Sequence, residues 1–199
     1  MTRRWEIMGG RGGKSNMGAG TTSMTPTQFD KYVQENGTEI IYRGYSAASQ
    51  EELQQRINEL LTGIHRESGE RTSAAGRGLY FANNETEASG YVTRRQSEQG
   101  HEYGRVSVAT LRKDAKIGDQ NTINALYQQK HNEYSEIMSK AFEKGITKAE
   151  SKTLGDKANA LYNMDIGTYA KSKGYDALRT YDGNTIVLNQ KKLIYRRGN

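Results

Sequence analysis

Cysteine is absent from the 199 residues, and proline occurs once. Without cysteine there is neither a disulfide framework nor a thiolate metal site. The three histidines, His65, His101 and His131, lie far apart with no HxH or HxxxH spacing, so no metal site is expected. Long apolar runs are missing too. None approaches the roughly 18 residues of a membrane span, and MTRRWEIMGG has no apolar stretch long enough for a signal peptide. A soluble, cytoplasmic protein with no membrane partner is expected. Phenylalanine and tryptophan are scarce, at 3 and 1, against 13 tyrosines. With 34% hydrophobic residues and a mean hydropathy of -0.91, this predicts one domain with a modest core and wet aromatic surfaces.

What the chain has is positive charge: a net +6 and a pI of about 9.4. Such a balance suits an anionic ligand or target, whether dinucleotide, nucleic acid or acidic protein face; it serves general solubility equally well. Residues 1–24 are rich in Gly, Ser, Thr and Met and read as a flexible arm. Its GGRGGKS is not a phosphate loop, because Met8 stands where the first glycine of that motif belongs and no strand precedes it. Arg3, Arg4, Arg11 and Lys14 suit a nucleic-acid arm, but a plain linker is the simpler reading.

Residues 25–199 read as the domain. Thr25 caps a helix with Pro26 in its first turn, and Gly37 ends it. Residues 39–46 form a strand, and Ser49 with Glu52 forms a capping box ahead of a helix carrying Leu53 and Ile57. After a polar loop, residues 78–82 give a short strand, and Asn84 caps a short helix with Ala88 and Tyr91. Residues 104–111 alternate as a strand with Val106, Val108 and Thr110 on one side. A long helix over 121–144, stopped by Gly145, opens a helical insertion at about 119–173; Thr147 and Glu150 box its second part. Three strands follow at 175–180, 185–189 and 192–196, with Asp182-Gly183 as a hairpin turn. This order predicts an α+β fold built on antiparallel sheets.

Two tyrosines eleven residues apart, Tyr80 and Tyr91, could hold a flat cationic ring between their faces by stacking and cation–π attraction. On spacing alone such a pair is usually two core residues. Gly76 and Gly78 let backbone approach a ligand closely. The segment GRGLYFANNETEASGY, however, resembles the nicotinamide clamp of the poly(ADP-ribose) polymerase and diphtheria-toxin-like ADP-ribosyltransferases: Gly76, Gly78, Tyr80, Phe81, Ala82 and Tyr91 fall in register with it. The resemblance covers about 39–111 and 174–196. It implies that Tyr80 and Tyr91 sandwich nicotinamide. Where that family has His-Gly-Ser on its first strand, this chain has Arg43-Gly44-Tyr45-Ser46. An arginine there resembles the cholera-toxin-like branch and implies that Arg43 holds phosphates or ribose while Gly44 backbone holds the carboxamide.

The family's catalytic Glu falls on Asn184, a departure that points to single-unit transfer or to lost catalysis. Asp182, two residues earlier, can reach the same ribose. The arrangement resembles small phage transferases, one of them an anti-CRISPR, with an Asp near that point. Asp176 is a second candidate, and Glu85, Glu87 and Glu102 lack motif support. Ser89 and the half-matching Arg71-Thr72-Ser73 are further candidate donors to the ligand. The resemblance thus implies a split antiparallel ADP-ribosyltransferase fold, with NAD as co-substrate and no metal. Arg43, Tyr80 and Asp182 would be catalytic; Arg43, Gly44, Gly78, Tyr80, Phe81, Ser89, Tyr91 and Asn184 would contact NAD. The expected activity is mono-ADP-ribosylation of a macromolecule, with protein favoured over nucleic acid as acceptor, as in a phage effector acting in host cytoplasm. An NAD glycohydrolase, an RNA 2′-phosphotransferase and a non-catalytic NAD-binding or virion module are the alternatives.

Overall fold

Capping chemistry places most helix starts where the sequence puts them. In the computed structural model, which describes residues 21–62 and 78–198, helix α1 spans Pro26–Asn36. Thr25 and Gln28 cap each other reciprocally, Gly37 closes the helix, and Phe29 is buried on its inner face. Helix α2, Gln50–Thr62, starts differently from the expected box. Ser49 Oγ does accept from the Glu52 N–H at 3.1 Å, but the Glu52 carboxylate turns to the Ala48 N–H and to Arg56. Helix α3 runs Glu85–Gln99 from the Asn84 cap, fifteen residues rather than a short helix. Helix α4, Gln120–Ala141, ends at Phe142, ahead of Gly145. Helix α5, Lys148–Asn163, has the expected Thr147–Glu150 box, and α6 covers Ile166–Ser172.

The strands are β1 (Thr22–Met24), β2 (Ile40–Ala47), β3 (Leu79–Phe81), β4 (Tyr103–Leu111), β5 (Ile117–Gly118), β6 (Ala177–Arg179), β7 (Thr185–Val187) and β8 (Leu193–Arg196). They form two four-stranded sheets, β1-β8-β4-β2 and β3-β7-β6-β5. The fold is therefore mixed α+β. Its sheets are not wholly antiparallel as expected: β1 runs parallel to β8, and β5 parallel to β6. Strand β1 also lies inside the segment read as a flexible arm, where Met24 O accepts from Arg197 N at 2.7 Å. Residues 1–20 of that arm, and Arg71-Thr72-Ser73 with Gly76, lie outside the described residues.

The main core sits between the sheets. Ile41, Tyr45, Leu111 and Tyr195 of the first face Leu79, Phe81 and Val187 of the second, with Leu53 and Ile57 of α2 against them. A second cluster packs Ile123, Leu126, Ile166 and Tyr169 of the helical insertion on the outer face of the second sheet, at Leu178, Ile186 and Leu188. A third seats α1 on the first sheet through Phe29, Val108 and Ile194. Among the described residues no helix is long and apolar enough to cross a membrane.

Candidate functional site

The two sheets touch edge to edge at one point and then part. Tyr42 on β2 and Ala82 just after β3 exchange both backbone hydrogen bonds, at 2.9 and 2.7 Å. In an antiparallel ladder, successive residues aim their N–H and C=O at opposite edges. Arg43 therefore pairs with Ser107 on β4, and Gly44, two residues past the bridge, aims both backbone groups into the gap. The same alternation aims the backbone of Tyr80 into the gap from β3. The gap is spanned by Arg43, whose Nη1 donates to Tyr80 O at 2.7 Å.

Strand alternation sends the Arg43 side chain toward the inter-sheet core rather than outward. Its guanidinium lies 5.4 Å from the Tyr45 ring centroid and 5.9 Å from that of Phe81. Burial pushes the Tyr45 hydroxyl up to about 12, with the Arg43 charge opposing the rise. Burial, and Tyr45 beside it, push Tyr195 well above its ordinary value. Phe81 is 1% exposed and packs against Tyr195 with the rings tilted by 43° and centroids 6.3 Å apart, so its side chain is core and not the ligand contact expected of it.

The Tyr45 shift fixes a pH window. A folded-state pKa raised from 10.0 to about 12 leaves stability intact below the unfolded value and removes it as pH rises through the folded one. Two pKa steps correspond to about 3 kcal/mol. Tyr45→Phe should therefore lose less unfolding free energy than the parent between about pH 9 and about pH 11.5 in denaturant titrations. Equal losses would refute the assignment.

The expected glycines are explained by packing. A Cβ on Gly44 would strike the Ala88 carbonyl of α3 and come within 2.9 Å of Val92 Cγ2; one on Gly78 would strike Ile186. Gly44 thus brings α3 down onto β2 while its backbone edge stays turned to the gap. Ala88 is buried there, and Tyr91 follows one helical turn later, 44% exposed, with the Arg94 guanidinium 4.9 Å over its ring. Tyr80 points opposite to Leu79 and Phe81 and packs half-buried against the outer cluster of the second sheet. Ser89 is exposed on α3, its carbonyl accepting from the Thr93 hydroxyl at 3.2 Å.

The β6–β7 turn supplies the carboxylate. Thr180 N donates to Asn184 O at 2.9 Å, Gly183 N to Thr180 O at 3.0 Å, and Gly183 takes φ 83°, where a side chain would be strained. The Thr180 hydroxyl donates to Asp182 Oδ1, and Asn184 Nδ2 donates to Oδ2 at 2.8 Å. These bonds, the Thr180 one foremost, hold Asp182 below the usual carboxylate range. Asn184, where the resemblance would put a Glu, donates to Asp182. Asp176 is committed elsewhere: its oxygens accept from Lys116 N at 2.9 Å and Asn189 Nδ2 at 2.7 Å. Glu85 and Glu102 are exposed, and Glu87 is half-buried in the first turn of α3.

Two residues at the site carried no expectation. Thr180 was legible in principle, since Thr-x-Asp-x-Asn is a side-chain-bonded turn pattern. Asn83, whose amide meets Gly183, has no sequence signal. Compared with models of protein families, with curated proteins and with solved structures, the chain matches none.

Proposed function

We propose that the chain binds NAD in the gap between β2 and β3 and transfers its ADP-ribose to a macromolecular acceptor, with protein favoured. The observation that carries this reading is the parted edge. Gly44 turns an N–H and a C=O toward the gap opposite Tyr80, and the helix lying on Gly44 is the one that carries Tyr91. A carboxamide needs one donor and one acceptor in fixed positions, and a flat cationic ring needs aromatic faces beside them. Gly44 offers the donor and the acceptor, and Tyr91 on α3 is the face this reading assigns to the ring.

In the reaction, the bond from ribose C1′ to the nicotinamide nitrogen breaks, and the ring leaves neutral with the bonding electrons. The positive charge developing on the ribose is stabilised by the ionised Asp182, a carboxylate held within its turn by Thr180 and Asn184. The acceptor's nucleophile then bonds to C1′ and releases its proton to solvent. Arg43 positions the site: it ties β2 to β3 across the gap.

Incubation with NAD labelled on adenine tests the reading. Label on a macromolecule in host lysate supports transfer, and free ADP-ribose alone supports hydrolysis with water as acceptor. No turnover and no NAD binding would overturn the assignment. Tyr91→Ala should weaken NAD binding by about five- to tenfold, the worth of one aromatic face. Because Tyr91 is 44% exposed, its melting temperature should stay close to the parent's. Unchanged affinity by calorimetry would remove Tyr91 from the clamp.

A further inference from the structure

We infer that Asn83 is a positioning residue that holds the Asp182 turn in register with the clamp; the inference rests on the reading of Asp182 given above. The carboxylate is fixed relative to its own turn by Thr180 and Asn184. Those bonds are internal. They say where Asp182 points within residues 180–184, not where the turn stands relative to the gap between β2 and β3. On one side the turn is held by Gln120, whose Oε1 accepts from Tyr181 N at 3.0 Å. On the side of the clamp it meets Asn83.

Asn83 is placed by its neighbours. Ala82 is locked to Tyr42 by two backbone bonds, and Asn84 is the N-cap of α3, accepting from Glu87 N at 2.8 Å. Between two fixed residues, Asn83 has little backbone freedom. Asn84 Nδ2 donates to Asn83 Oδ1 at 2.6 Å, which orients the Asn83 amide. Its Nδ2 then faces Gly183 so closely that a Cβ there would strike it and lie 3.2 Å from Asn83 Cγ. Gly183 is therefore required twice: for its positive φ, and for the approach of Asn83. The contact joins the acid-bearing turn to the residue just before the N-cap of the Tyr91 helix. Acid and ring clamp come from segments about a hundred residues apart, and one amide packed on one glycine couples them.

A double-mutant cycle on NAD turnover tests this, using the full chain and adenine-labelled NAD. Asn83→Ala should lower kcat by roughly ten- to a hundredfold, the cost of a small misplacement of a reacting group, with KM for NAD unchanged. In the Asp182→Ala background the same substitution should cost nothing further, because the turn no longer carries the carboxylate. If Asp182→Ala is damaging and Asn83→Ala multiplies the damage by its full factor, Asn83 acts independently of the turn and the inference fails. A KM effect without a kcat effect also overturns it. If Asp182→Ala alone leaves turnover intact, the assignment of the acid falls first. A melting curve for Asn83→Ala matching the parent's, expected for an exposed residue, separates positioning from loss of fold.

Discussion

Asp182→Ala is expected to lower NAD turnover by about 10²–10³-fold, or about 2.7–4 kcal/mol in the barrier, while NAD still binds. The size follows from what the carboxylate does: a preorganised charge acts on a cation that exists only near the transition state. Ground-state NAD gains little from it, so KM should barely move and the loss should fall on kcat. The pH profile provides an independent check. Hydrogen bonds from Thr180 and Asn184 hold Asp182 below the usual carboxylate range. With a depressed folded-state pKa, the charge is present above the unfolded value and is lost only as pH falls through the folded one. Turnover should thus show no acid limb from this group between about pH 5 and 8, in contrast to a general acid raised by burial. Asp182→Asn should behave like Asp182→Ala, since it keeps the shape and removes the charge. Turnover undiminished in both, or an acid limb near pH 6 that vanishes with Asp182, would sink the assignment.

Local chemistry makes several elements readable in the sequence. Thr25 with Gln28, Thr147 with Glu150, and Asn84 with the Glu87 N–H each cap a helix within four residues of chain. The Asp182-Gly183 turn is equally local, because only glycine settles easily at φ 83°. What stayed hidden depends on partners far away. Strands β1 and β5, of three and two residues, are too short for periodicity and exist because β8 and β6 offer them parallel edges. Helix α3 contains Ser89, Gly90 and Thr93, poor helix formers; its length comes from Ala88 and Val92 packing on Gly44 and Gly104. The site divides the same way. Gly44, Tyr80, Tyr91 and Asp182 are candidates through the resemblance, whose motifs are contiguous stretches of sequence. That Phe81 is core, that Gly78 makes room for Ile186, and that Asn83 meets Gly183 depends on strand register across more than a hundred residues.

Gly44→Ala should destabilise the fold by about 1–3 kcal/mol and weaken NAD binding at least about tenfold. The added Cβ would overlap the Ala88 carbonyl and lie 2.9 Å from Val92 Cγ2. Val92 can rotate away. Ala88 cannot: its carbonyl belongs to helix backbone, and its side chain is 1% exposed in the contact. Relief therefore requires α3 to lift off β2 as a unit, and Tyr91 moves with it. Gly90, on the same helix with nothing within 4 Å of its Cβ position, is the matched control. There an added methyl meets open space and replaces a poor helix former, so Gly90→Ala should stabilise by up to about 1 kcal/mol. Val92→Ala combined with Gly44→Ala should recover only part of the loss, because the carbonyl clash persists. Denaturant midpoints and NAD calorimetry on the four proteins decide the matter. If Gly44→Ala tracks Gly90→Ala in both, α3 is not seated by Gly44, and the coupling between sheet edge and clamp is wrong. If stability falls but NAD affinity holds, Gly44 serves the fold alone, and the carboxamide must bind elsewhere than the parted edge.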